Sequence, residues 1–339
     1  MKKSIIAIIL CLAIVMMPMF ACADEAKNIY ILTPTEDHGW TGSVATFAKS
    51  MADEINAAGE YTAEVITADD AAAQITQIED ILASHAGETA GIVILPQDDT
   101  VEFAIQQIVD AGIPYVAFDR IIAGVKDAAV ANVSGDNEGV GAKVAEYFVS
   151  LGMEKGDAVI VFEGDTSSVT TYRDNGFVAY LTEEAGWAEE DLANVTYSGA
   201  MNWSRANAKE YFESLMSDAN NAATKWFYSQ DDEFALGVIE ALEGSAIDDD
   251  TKAAILGNGI VISAAGGAEE LYAVIRGETH TDVAGTFAGL AVATYSPAMI
   301  QDAIQLMLDS LAGNEVAQDY IVPVEIVTAE NVTSYVGFN

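Results

Sequence analysis

Six short stretches carry the side chains that could do chemistry: residues 36–40 (EDHGW), Asp119 with Arg120, residues 135–137 (GDN), residues 172–174 (YRD), Asn202 with Trp203, and residues 230–233 (QDDE). They mix flat aromatic rings, amides, carboxylates and guanidinium groups. No Ser/His/Asp or Cys/His set recurs among them, so nucleophilic catalysis has no recognisable constellation. A sugar needs this mixture. The C–H face of a sugar ring stacks on an aromatic ring, and its hydroxyls both donate and accept. Carboxylates accept from hydroxyls, and a planar arginine donates several hydrogen bonds in a fixed fork.

Each residue also has a structural alternative. Trp40 and Trp203 could be core residues, Asp119 and Arg120 could close a turn as a local ion pair, and Arg173 could neutralise Asp174. Asn137 and Asp231 could cap helices, and His38 could be a turn donor. The run Asp248, Asp249, Asp250 reads as solvated surface, because it lacks the spacing and distal Glu of a calcium loop. Histidines at 38, 85 and 280 are widely spaced, which leaves a transition-metal site without support. The glycine stretches 135–141 and 257–267 match neither phosphate-binding loop pattern, so no cofactor is expected.

The elements that must position these stretches are short apolar runs alternating with helical patterns. Strands are predicted over 28–33, 64–67, 91–96 and 114–118, and again over 129–133, 158–162, 194–198, 226–229 and 254–263. Helices are predicted over 41–57, 71–83 and 101–111, then over 139–150, 172–184, 204–218 and 233–243. Apolar runs without strict alternation point to strands buried on both faces, as in parallel sheets covered by helices. Two successive β/α series predict an α/β protein of two doubly wound parallel-sheet lobes. In such sheets a ligand lies beyond the carboxyl ends of the strands, where the six polar stretches fall.

Composition narrows the partner. The 339 residues include 14 Lys+Arg against 53 Asp+Glu, a formal net charge of −39, and 51% are hydrophobic. That apolar content excludes a disordered chain. The charge excludes a nucleic-acid binder, which needs a basic face, and argues against docking on anionic lipid. At the N-terminus Lys2 and Lys3 precede an apolar run from Ser4 to Phe20, followed by Ala21, Cys22 and Ala23. This order predicts a signal peptide, residues 1–23, cleaved after Ala23. Lipid anchoring at Cys22 is the alternative. Cleavage would remove both cysteines and leave no thiol or disulfide chemistry. No later run reaches the ~18 apolar residues of a membrane span.

Four stretches carry a family resemblance: residues 116–120 (VAFDR), 134–139 (SGDNEG), 171–177 (TYRDNGF) and 230–237 (QDDEFALG). They resemble the periplasmic sugar-binding proteins of ribose and galactose type, which feed ABC importers. The resemblance covers nearly all of the chain after residue 23. It implies the type I periplasmic binding fold, with two lobes joined by a three-strand hinge. Asp119 and Arg120 would hold sugar hydroxyls and the ring oxygen, Arg173 and Asp231 would add polar contacts, and Trp40 and Trp203 would stack. His38 and Asn137 complete the candidate ligand-binding set. One departure stands out: ribose-type relatives carry an acid after the last strand of the lobe, whereas residues 262–267 read ISAAGG.

The implied organisation is a first lobe of 24–134 plus 296–322 and a second of 135–295 plus 323–339, with crossovers near 134, 295 and 323. A helix over 298–311 would pack on the first lobe, and a last strand over 324–327 would return to the second. The expected function is an exported periplasmic receptor, a monomer that binds a neutral pentose or hexose and delivers it to the permease of an ABC importer. Two alternatives keep the fold: a chemotaxis receptor, and a receptor for a furanosyl signal such as autoinducer-2. An exported glycosidase using two carboxylates is the remaining alternative.

Overall fold

The computed structural model describes residues 27–35 and 39–339. The predicted signal peptide with Cys22, and the candidate His38, lie outside the described residues.

Two six-stranded sheets organise the chain. Sheet one comprises β1 (Lys27–Pro34), β2 (Tyr61–Ala68), β3 (Thr89–Ile94), β4 (Tyr115–Phe118), β5 (Ala131–Gly135) and, from far along the chain, β11 (Asp319–Val322). Sheet two comprises β6 (Val159–Glu163), β7 (Val195–Ala200), β8 (Trp226–Ser229), β9 (Val261–Gly266), β10 (Gly289–Thr294) and β12 (Ile326–Val327). The spatial orders are β2-β1-β3-β4-β5-β11 and β7-β6-β8-β9-β10-β12, the same plan twice. Every pairing is parallel except the short β12 on β10. This is the doubly wound arrangement that the two β/α series predict.

Helices cover both faces of each sheet. On sheet one lie α1 (Gly39–Ala58), α2 (Ala71–His85), α3 (Glu102–Asp110) and the returning helix α11 (Met299–Leu311). Alternate strand residues feed two apolar layers: Ile29, Ile31 and Val93 pack with Val44 and Ile304, while Tyr30, Leu32 and Ile92 pack with Ile78 and Ile105. Sheet two carries α4 (Asn137–Ser150), α5 (Ser168–Ala179), α6 (Arg205–Met216), α7 (Asp232–Glu243), α8 (Asp249–Asn258), α9 (Glu269–Ile275) and α10 (Thr281–Ala284). Between sheets the chain crosses three times: from β5 into α4, from β10 into α11, and from β11 to β12. Among the described residues no helix is long and apolar enough to cross a membrane.

Some elements differ from the sequence reading. The strand predicted over 254–263 begins only at Val261, because residues 249–258 form α8. Asp248 caps that helix by accepting from the Thr251 N–H, and Gly259, at φ +70°, ends it in the left-handed region that glycine favours. Asp248 therefore starts a helix, beyond the solvated role expected of its run. The helix predicted over 172–184 begins at Ser168 and gives way to a π-helical turn over Tyr180–Glu184. The last strand shrinks to Ile326–Val327. Two strands, β10 and β11, have no counterpart in the reading. The first is alanine-rich and the second is exposed along most of its length, so neither shows the long β-branched run that marks a strand.

Helices α4 and α5 approach through a pair of glycines. A Cβ on Gly141 would fall 2.0 Å from the Arg173 carbonyl oxygen, and one on Gly176 would fall 1.9 Å from that of Glu138. Both obstacles are backbone, so neither can yield by a rotamer change. The close approach fixes where α5 presents Arg173. Gly176→Ala should therefore cost about 1–3 kcal/mol and lower the melting temperature by about 2–10 °C. Gly87→Ala, whose Cβ would meet no atom within 4 Å, should melt like the wild type. Coincident melts for the two variants would reject the glycine contact as a constraint on α5.

Candidate functional site

The carboxyl ends of both sheets deliver their polar residues to one cleft. From sheet one, β4 ends at Phe118, and Asp119 turns the chain at φ +63° while donating its N–H to the Val133 carbonyl at 2.7 Å. A left-handed aspartate is unusual but tolerated. The residue is 7% exposed, and its carboxylate accepts from the Tyr295 hydroxyl at 2.5 Å. Arg120 is anchored by Nη1, which donates to the carbonyls of Pro96 (3.1 Å) and Gln97 (2.5 Å). Its Nη2 reaches across to Asp165, beyond β6, at 3.2 Å. Trp40, in the first turn of α1, stacks on Phe118 with ring centroids 6.0 Å apart and planes 10° apart, and donates its indole N–H to the Tyr295 carbonyl at 2.8 Å.

From sheet two, α5 supplies Arg173, which is 3% exposed. Its Nε donates to Asn137 Oδ1 at 3.0 Å and its Nη1 to the Gln230 carbonyl. The guanidinium lies 4.7 Å from the Tyr295 ring centre and 5.7 Å from that of Trp203, within cation–π range. Trp203 follows β7 in a left-handed turn with Asn202, stacks on Phe234 at 6.1 Å and 5°, and donates its indole N–H to Asp165 at 2.8 Å. Asp231 accepts from the Glu233 N–H at 2.8 Å, capping α7, so its helix-cap alternative is real. It also lines the cleft, and the two roles coexist.

Together these residues enclose about 530 Å³ of space, part of it open to solvent. Trp40, Asp119, Arg120, Arg173, Trp203 and Asp231 all line it, with Tyr295, Glu233, Val169 and Gly266. Six of the eight candidates from the sequence thus meet in one cavity. Asn137 lies behind it, accepting from Arg173 and donating to the Tyr295 hydroxyl at 3.0 Å. Glu233 is held by Arg205, which donates Nε at 2.7 Å and Nη2 at 3.1 Å. Among the described residues no three His, Cys, Asp or Glu side chains cluster to hold a metal ion.

Residues 29–315 match the family model described as periplasmic binding protein domain. The chain belongs to that family. No curated protein matches this binding protein by sequence. Solved structures share its fold. A galactofuranose binding protein superimposes with a TM-score of 0.71 at 19% identity, over 91% of this chain and 96% of its own. The periplasmic component of the arabinose ABC transporter from Shewanella sp. ANA-3, bound to alpha and beta-L-arabinofuranose, gives 0.71 at 18%, over 91% and 93%. An ABC transporter periplasmic solute binding protein from Actinobacillus succinogenes 130z with bound D-allose gives 0.71 at 19%, over 91% and 100%.

Two residues of the binding protein that organise the cleft escaped the sequence reading. Tyr295 follows β10 and Asp165 follows β6, so both obey the same post-strand rule. The first was hidden because β10 itself went unread. The second sits in a short polar loop, whereas the sequence pattern after β6 points to the more distant helix opening at Tyr172. The acid-free stretch at 262–267 also has a structural account. Gly266, at φ +144°, leaves room for Asp232, where a Cβ would fall 2.5 Å from its Oδ2. That oxygen accepts from the N–H groups of Gly267 and Ala268, both at 2.6 Å.

Burial and neighbouring charge set the ionisation of the site. Burial raises Asp119 against the opposing pull of Arg120, Tyr295 and Arg173. Burial and then Asp232 push Asp231 well above the usual carboxylate range. For Asp165, burial is outweighed by Arg120, Ser167 and Trp203, and its carboxyl is held low. Asp174, beside Arg173, is pushed up to about 7 by burial and the Glu163 carboxylate, while it accepts from Gln230 Nε2 at 2.7 Å. A carboxyl raised on folding binds its proton more tightly in the native state. Its contribution to stability is complete below the usual carboxylate range and is lost as pH rises through about 7. The melting temperature should fall between pH 5 and pH 8, and Asp174→Asn should flatten that fall by about 2–4 °C. Parallel melting curves for variant and wild type would show that Asp174 ionises normally.

Proposed function

We propose that the protein is an exported solute receptor that holds a neutral pentose or hexose between its lobes and delivers it to an ABC importer without turnover. The observation that carries this reading is the joint lining of one cavity, from both sheets, by two indoles, two guanidiniums and three carboxyl groups. Aromatic faces serve the C–H surface of a sugar ring, and the charged groups serve its hydroxyls. Arg120 is paired with Asp165, and Arg173 donates to Asn137 and the Gln230 carbonyl. A neutral ligand adds no charge for the site to balance. Asp119 is committed to Tyr295 and Asp231 to its helix cap, which supports binding over acid–base catalysis. The sugars named for the structural relatives support the ligand class, and the N-terminal apolar segment supports export.

Calorimetry with neutral pentoses and hexoses, each assayed for turnover, tests the reading. Saturable binding of at least one sugar with no product is expected, and sugar phosphates should bind far more weakly. Arg173→Lys keeps the charge but loses the planar fork that donates to Asn137 and Gln230. It should weaken binding about ten- to a hundredfold. No heat from any sugar would reject the ligand class, and a released product would reassign the protein as an enzyme.

A further inference from the structure

We propose that Asp165 is a positioning residue that fastens the two lobes to one another and sets ligand affinity without lining the ligand cavity. The proposal rests on reading the cleft as the ligand site. A single oxygen of Asp165, Oδ2, accepts from both sides: from Arg120 Nη2 at 3.2 Å and from the Trp203 indole N–H at 2.8 Å. Arg120 follows β4 of sheet one, and Trp203 follows β7 of sheet two.

Everything else around this oxygen belongs to one lobe or the other. Asp165 Oδ1 accepts from the Ser167 N–H at 2.9 Å, and the Asp165 N–H donates to Thr170 Oγ1 at 3.0 Å. The carboxylate is thus held within the second lobe. Nη1 of Arg120 is held within the first by the carbonyls of Pro96 and Gln97. Parting of the lobes would break the Nη2–Oδ2 bond and leave the other contacts of both residues intact. That is the geometry of a latch.

The latch has a weight. The two side chains are 11% and 19% exposed, so their attraction is less screened than that of a surface pair. Arg120 lines the cavity with its Nε buried and without a protein partner. By holding Nη2, Asp165 fixes the orientation of a guanidinium that lines the cavity. Apparent affinity scales with the fraction of molecules already in the binding-competent arrangement. Loss of the latch therefore weakens binding though no ligand contact is removed.

The test uses Asp165→Asn in the full mature chain, which keeps the shape but removes the charge and turns one of the two acceptor oxygens into a donor. Two quantities are measured: sugar affinity by calorimetry at low and high salt, and the ligand-free radius of gyration by small-angle X-ray scattering. Affinity should fall about tenfold. Its salt dependence should shrink, and the ligand-free radius should grow. A variant that merely melts earlier, with affinity, salt dependence and radius unchanged, would overturn the proposal and make Asp165 a brace of its own loop. If no sugar binds the wild type yet the variant expands, the latch stands and the sugar reading falls. If sugar binds both proteins equally and the radius is unchanged, the sugar reading stands and the latch falls.

Discussion

The guanidinium of Arg173 is the group on which the rest of the cleft depends. A buried charge is tolerated only when it is paired and hydrogen-bonded, and at 3% exposure Arg173 must find its partners within the protein. It finds them in Asn137, the Gln230 carbonyl and the faces of Tyr295 and Trp203. Each partner is then tied to a second group. Asn137 and Asp119 share the Tyr295 hydroxyl, Trp203 is tied to Asp165, and Gln230 is tied to Asp174 and the Gly164 N–H. The carboxyls of Asp119, Asp231, Asp232 and Asp174 all feel the Arg173 charge. One buried cation organises several carboxyls that would otherwise repel each other.

Topology explains why these partners can meet. Both sheets use the same strand order, so both present their carboxyl ends as rows of loops, and the chain passes between them beside the cleft. Two of the three crossings carry organising residues. The step from β5 into α4 holds Asn137, and the step from β10 into α11 holds Tyr295. The crossings and the site are thus partly the same residues. Rotation of one lobe on the other would carry Tyr295 relative to Asn137, Asp119 and Trp40, so the geometry of the cleft and the relation of the lobes are coupled.

How much of this was legible in the sequence depended on whether a signal was local. The apolar β-branched runs of β1, β3 and β6 announce themselves, and so do aspartates that cap helices, such as Asp231 at α7. The post-strand rule then finds Asp119, Arg120, Trp40 and Trp203 without a structure. It fails at Tyr295 because β10, GLAVAT, is mostly small residues, which strands use only when neighbouring strands bury them. It fails at Asp232 for a different reason. That residue was visible beside Asp231, but its attachment to the Gly267 and Ala268 N–H groups links segments 35 and 36 residues apart. No local pattern records such a contact. The strand predicted over 254–263 fails because the apolar letters of 253–256 serve helix and strand equally well, and the Asp248 cap decides between them.

The charge balance closes the argument. Against 53 acids the chain has only 14 basic residues, four of them arginines. Two, Arg120 and Arg173, line the cavity, and a third, Arg205, holds the cavity residue Glu233. The fourth, Arg276, joins Glu269 and Glu278 away from it. Guanidiniums are thus placed where planar, multi-donor geometry matters, while Lys143 and Lys155 form pairs that are half exposed. A net charge of −39 gives the exterior a negative field that repels anionic solutes before they reach the cleft. Inside, Arg120 is already paired with Asp165 and Arg173 already donates to Asn137 and the Gln230 carbonyl, so part of each guanidinium's capacity is spent before any solute arrives. A polar solute without charge does not meet that repulsion, and the indoles beside the charged groups give it both an apolar face and partners for its hydroxyls.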